Sequence, residues 1–194
     1  MPIMKDTSIL IAGVGGQGTL LASMVLGQVA LDAGLDVKLS EVHGMAQRGG
    51  SVITHAKFGQ KVYSPIIDRG GADILLAFEM LEAERWIPYV KKDGKLFVNK
   101  QKILPMPVIT GAEEYPKHIK SRIKDSFEDA VFVDALELAC EAGSAKAVNC
   151  VMLGVLAKEL DFEKEAWTQA IQKVVKPKFL ELNMNAFEKG YTIK

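Results

Sequence analysis

The sequence predicts an α/β fold: a mostly parallel sheet with helices on both faces and a helical C-terminal segment. Three observations predict it. Short apolar runs alternate with helical patterns as far as Asp134. A glycine-rich turn, Gly13-Val-Gly-Gly-Gln-Gly18, joins the first strand directly to the first helix. From Ala135 onward only helical patterns remain.

The elements follow in order. Ile9-Leu-Ile-Ala12 reads as a buried strand. Thr19 to Leu31 is apolar nearly all round, which predicts a helix covered on both sides, and Gly34 is placed to end it. Val37 to Val42 alternates in part, as a strand near a sheet edge does. Ser51 to Phe58 reads as a third strand, Gly59-Gln-Lys61 as a turn, and Val62 to Ser64 as a returning piece. Ile74 to Phe78 is a buried strand, followed by a helix from Met80 to Tyr89 and a strand from Lys95 to Asn99. Pro105 and Pro107 mark an irregular crossing, with Val108-Ile109 as a short strand. Tyr115 to Phe127 reads as an amphipathic helix and Val131 to Asp134 as the last strand. Beyond it, Gly143-Ser144 divides two helices, Leu160-Asp161 precedes a third and Pro177 opens a fourth. No repeat or linker interrupts the 194 residues, so residues 1–194 are expected to form one domain with a helical tail from about residue 135.

Composition bounds the function. Lys plus Arg and Asp plus Glu each number 24, so no basic footprint for nucleic acid exists. The apolar run that Gly13 ends is too short for a secretory signal, and no stretch approaches the roughly 20 residues of a membrane span. The cytoplasm is the expected location. The two cysteines, Cys140 and Cys150, are too few for an iron–sulfur cluster, which takes about four thiolates. They read as buried thiols, and no metal site is expected.

Gly13-x-Gly15-x-x-Gly18 has dinucleotide-binding spacing, with a strand before it and a helix after it. Such glycines let the backbone approach an anion at a helix N-terminus. Glu41 stands at the end of the second strand, where a ribose-binding carboxylate is needed, slightly beyond the usual spacing of about 20 residues. Two readings stay open. The loop binds a nicotinamide or flavin dinucleotide, or its glycines only let strand and helix pack closely. A triphosphate loop is disfavoured, because Thr19 stands where Lys is required. The sheet expected is three-layered and Rossmann-like, and its ligands belong at the carboxyl ends of the strands.

The second unusual loop, His43-Gly-Met-Ala-Gln-Arg-Gly-Gly50, leaves the same rim. Arg48 has the planar fork suited to carboxylate or phosphate, or it pairs with Glu41 on the surface. Gly49 and Gly50 permit a sharp bend or a close approach. His43 is a polar loop residue or a group titrating near neutral pH.

The first loop, taken with Glu41-Val-His-Gly-Met-Ala-Gln-Arg-Gly-Gly50-Ser-Val, resembles the gamma-type domain of the 2-oxoacid:ferredoxin oxidoreductases, specifically the small subunit of the indolepyruvate type. The pyruvate-type relatives more often carry Pro-Glu before Arg-Gly-Gly, so the His-Gly-Met-Ala-Gln version points to the arylpyruvate branch. The resemblance is specific from Gly13 to Val52. It implies a subunit of an enzyme that oxidatively decarboxylates a 2-oxoacid to the acyl-coenzyme A and passes electrons to ferredoxin. Thiamine diphosphate and iron–sulfur clusters are then carried by a large partner subunit, coenzyme A is a co-substrate of the complex, and this chain binds none of these cofactors alone. Gly13, Gly15, Gly16, Gln17, Gly18, Glu41, His43, Gln47, Arg48, Gly49 and Gly50 would face the partner or an anionic ligand. The resemblance assigns no chemical step to any of them. The readings from other classes are a self-contained dinucleotide-binding oxidoreductase and a non-enzymatic binding module.

Other residues have structural explanations. Asp73, Asp134 and Glu137 read as caps near strand ends and helix starts. Met24, Met152 and Met184 read as core filler. Trp86 and Trp167 suit partial burial or an interface. The apolar stretch from Ala145 to Leu156 must be buried in the domain or against a partner, and self-association of the isolated chain is a further expectation.

Overall fold

The computed structural model describes residues 6–44 and 49–193. Strand β1 (Thr7–Val14) leads through the glycine turn into helix α1 (Thr19–Asp32), then β2 (Asp36–His43), β3 (Ser51–Gly59) and β4 (Ala72–Ala77). Helix α2 (Met80–Trp86) precedes β5 (Val90–Asn99); the short α3 (Met106–Ile109) and α4 (Ile119–Ser126) precede β6 (Val131–Val133). Helices α5 (Ala135–Glu141), α6 (Val148–Ala157), α7 (Lys164–Val174) and α8 (Leu180–Thr192) complete the chain.

The sheet order is β2-β3-β1-β4-β5-β6. β1, β4, β5 and β6 pair in parallel. The predicted α/β architecture holds, with one strand reversed: β3 runs antiparallel between β1 and β2. The link from β2 to β3 is a short loop, too short for the crossover that a parallel neighbour needs. β2 is the sheet edge, in keeping with its partial alternation.

Two cores flank the sheet. Ile9, Ile11, Ile74, Leu76 and Phe97 face α1 and α6, with α5, α7 and α8 packed against these helices. Leu10, Ala12, Leu75, Ala77 and Val98 face α2 and α4. A strand covered on both faces has no polar side to show, hence the unbroken apolar run of β1. All ten residues of α6 are buried, as its composition required. It crosses α8 backbone to backbone: a Cβ on Gly190 would stand 1.9 Å from the Val151 carbonyl oxygen, and one on Gly154 would stand 2.2 Å from that of Phe187.

Several expectations are corrected. Val62 to Ser64 forms no strand. The segment is irregular, held by the Val62 N–H on Asp36 (2.9 Å) and the Ile67 N–H on His55 Nδ1 (3.1 Å). Val108-Ile109 lies in a short helix, because Pro107 sits in its first turn, where a missing N–H is tolerated. Helix α4 begins only at Ile119, after His118 turns through φ 60°. Helix α1 packs against the sheet and against α6 and α7 but is not covered all round: Leu20 (55 % exposed), Met24 (46 %) and Leu31 (55 %) form an outward apolar stripe. Met24 is therefore not core, whereas Met152 is fully buried. Trp167 is buried at the centre of the first core. Cys140 is exposed rather than buried.

Candidate functional site

The two rim loops are one structure. Gly15 N–H donates to the Gly50 carbonyl at 2.9 Å, and Gly49 N–H returns to the Gly15 carbonyl at 3.5 Å. This follows from the antiparallel pairing of β1 and β3, whose register sets Val14 opposite Ser51. The second loop is closed below by Gly44 N–H on the Ser51 carbonyl (3.0 Å). Gly18 ends the first loop at φ 78° and caps α1.

Gln17 fills the hollow of the glycine loop. Its Oε1 accepts from Val14 N–H at 2.8 Å. Its Nε2 donates to the Phe78 carbonyl at 2.8 Å and to Gln101 Oε1 at 3.1 Å. Asn99 extends this amide lattice, donating to the Phe78 carbonyl and accepting from Ala135 N–H. Asn149, from the start of α6, donates to the Gly18 carbonyl at 3.4 Å.

Glu41 is equally engaged. One carboxylate oxygen accepts from Thr54 Oγ1 (2.9 Å) and Thr19 Oγ1 (3.5 Å), and the other lies 2.9 Å from His43 Nε2. A carboxylate already stands beside the first turn of α1, where its dipole is positive. A ribose hydroxyl would have to share the carboxylate with these partners. Gly13, Gly15, Gly16, Gln17, Gly18, Glu41, His43, Gly49 and Gly50 thus gather at one rim, as the topology demanded. Gln47 and Arg48 lie outside the described residues.

A second polar cluster abuts the loops, and sequence reasoning passed over it. Glu79 (1 % exposed) caps α2 by accepting from Glu82 N–H at 2.9 Å. Its other oxygen accepts from Tyr115 Oη (2.6 Å) and Ile103 N–H (3.2 Å). Glu82 (4 % exposed) accepts from Ser51 Oγ at 2.5 Å and from Arg85 at 2.8 Å. Burial pushes the Glu82 carboxyl above its usual range, and the Ser51 and Arg85 contacts only partly oppose this. Burial and the Glu79 carboxylate also push the Tyr115 hydroxyl upward. A cavity of about 190 Å³ opens between Gly49-Gly50, this cluster and Met106. The available signal was Glu79-Met-Leu-Glu82, two acids three residues apart at the end of an apolar strand. Larger clefts, of about 260 and 420 Å³, lie at the opposite rim among the Lys91–Asp73 and Lys95–Glu159 pairs. Asp73 also accepts from Ser8 N–H, so it ties strands rather than capping a helix.

A model of the pyruvate ferredoxin/flavodoxin oxidoreductase family matches residues 8–193. The chain belongs to this family. It is 42 % identical over 192 residues to indolepyruvate oxidoreductase subunit IorB of Thermococcus kodakarensis, covering 96 % of this chain and 95 % of that one. Among solved structures, pyruvate oxidoreductase subunit PORC of Thermotoga maritima superposes with a TM-score of 0.72 at 22 % identity, covering 97 % and 96 % of the two chains. The 2-oxoglutarate:ferredoxin oxidoreductase of Magnetococcus marinus gives 0.73 at 19 % identity, covering 97 % of this chain and 31 % of that longer one. These two likenesses show the fold.

An iron–sulfur cluster does not fit this chain's two cysteines. Cluster iron needs thiolates, whereas burial pushes the Cys150 thiol up to about 12 and its Sγ contacts Asn183 Oδ1 at 3.0 Å. Among the described residues no group of three or more His, Cys, Asp or Glu could hold a metal ion. No helix among them is long and apolar enough to cross a membrane.

Proposed function

We propose that this chain is the cluster-free small subunit of an indolepyruvate-type 2-oxoacid:ferredoxin oxidoreductase working in the cytoplasm as a single domain over residues 1–194. The 42 % identity to an indolepyruvate subunit along nearly the whole length supports the substrate class. In this reading a large partner subunit carries thiamine diphosphate and the iron–sulfur clusters, and electrons leave through it to ferredoxin. Coenzyme A joins the reaction within the complex. The apolar stripe of α1 suits burial against such a partner and favours self-association when the chain is alone.

The observation that carries the role of the rim is the bonding within the glycine loop and between it and the second loop. Gln17 occupies its hollow and Gly15 spends its N–H on Gly50, so the loop serves as a bracket for the second loop. The second loop, with Arg48 as its anion contact, then faces the partner or the coenzyme A region.

Anaerobic co-expression with the large subunit tests this. The expected outcome is a stable complex that reduces ferredoxin only with an arylpyruvate and coenzyme A present. The isolated chain should be inactive and should bind neither NAD(P)H nor flavin at millimolar concentration. Activity of the isolated chain, or saturable dinucleotide binding weakened by a bulky residue at Gly15, would overturn the reading.

A further inference from the structure

The Glu79–Glu82 cluster joins three segments that are far apart in sequence. Ser51 is the first residue after the second rim loop, Ile103 begins the segment leading into α3, and Tyr115 precedes α4. Each hands a donor to one of two carboxylates on the first turn of α2. Burying two carboxylates three residues apart is costly unless donors are fixed around them, so the segments that supply those donors are tied to α2. Two acids buried beside a rim loop, with the Glu82 carboxyl held above its usual range, mark a site where geometry matters to function.

We propose that Glu82 is a positioning residue for the second rim loop: held by Arg85 and by the Glu79 cap, its carboxylate grips the Ser51 hydroxyl and sets where Gly49 and Gly50 stand against Gly15. The inference rests on the reading that this rim serves the assembled oxidoreductase. Glu82 touches no reacting atom. Its effect reaches the loop through one 2.5 Å hydrogen bond at the loop's exit. The bonds between Gly15 and the Gly49-Gly50 pair then transmit the position to the glycine loop.

The test uses the assembled enzyme with Glu82→Ala, Glu82→Gln, Ser51→Ala and the Glu82→Ala/Ser51→Ala pair. Glu159→Gln, at the opposite rim, is the control. Glu82→Ala should lower kcat/KM about tenfold or more, since small misplacements of a positioned group have effects of that size. Glu82→Gln keeps an acceptor for Ser51 and should stay within about threefold of wild type. The double variant should be no worse than Glu82→Ala alone, because both remove the same bond. Hydrogen exchange on the isolated chain gives an independent readout. The peptide carrying Gly49 to Val52 should exchange faster in Glu82→Ala, with α6 and α8 unchanged. If Glu82→Ala folds poorly, Ser51→Ala carries both measurements. Wild-type kinetics and wild-type exchange in Glu82→Ala or Ser51→Ala would overturn the positioning role. Failure of the wild-type chain to assemble would instead overturn the subunit reading, which the exchange measurement does not touch.

Discussion

The crossing of α6 and α8 and the rim where the two loops meet both depend on glycine, for opposite reasons. At the crossing the limit is space: an added Cβ on Gly190 would run into the Val151 carbonyl of the facing helix. At the rim the limit is backbone conformation. Gly49 has φ 76°, and among the described residues nothing lies within 4 Å of where a Cβ would stand. The first glycine serves the core and the second serves a loop shape. Substitution at the two sites should therefore separate stability from function.

The largest effect should come from the crossing. In Gly190→Ala the helices must part or α8 must shift, because the Val151 carbonyl cannot rotate out of its helix. Overpacking of a dense core costs about 3 kcal/mol, enough to lower the melting temperature by several degrees. Thermal unfolding followed by circular dichroism measures it. If Gly190→Ala melts with the wild type, the close crossing is wrong.

Gly49→Ala should show the reverse. The left-handed conformation costs a non-glycine residue about 1–2 kcal/mol, and no described neighbour is struck. The loop can relax locally, so the melting temperature should fall less than for Gly190→Ala. Turnover of the assembled complex should fall more, because the bonds to Gly15 shift with the backbone. A variant that loses stability but keeps full turnover would make Gly49 a fold glycine like Gly190, and the contrast between the two regions would disappear.

The two regions were also unequally legible. The glycine turn, the buried β1 and the helical C-terminal third are local patterns, and each lies where its residues predict. The reversed direction of β3 was legible only in the short link after Val42 and not in the strand itself, since alternation in Ser51 to Phe58 is the same for either direction. The stripe on α1 was read as buried, because an apolar residue looks alike whether its cover is its own chain or another. Glu79 and Glu82 escaped notice for a third reason. Their partners Ser51, Ile103 and Tyr115 come from distant segments, and only the fold brings them together. Glu41 was legible as a position but not as a role: its partners Thr19 and Thr54 became visible only once β2 and β3 were paired.

The smallest predicted effect tests β3, the reversed strand that leads away from the rim. His55 is buried on β3, and its Nδ1 accepts from Ile67 N–H, so the ring is neutral with its proton on Nε2. Burial, and then the charge of Lys57, hold its pKa below the ordinary value. In the unfolded chain His55 takes up a proton near pH 6.5, while in the folded chain it does so only at lower pH. Its contribution to stability is thus intact above about pH 6.5 and is lost as pH falls through the depressed folded value. Wild-type melting temperature should decline on acidification from pH 7 to pH 5. His55→Gln, which keeps an acceptor for Ile67 but cannot be charged, should flatten that decline while leaving the Gly190→Ala and Gly49→Ala effects as they are. An identical pH slope in wild type and His55→Gln would mean that other groups carry the acid sensitivity and that the irregular segment over β3 is not pinned through this ring.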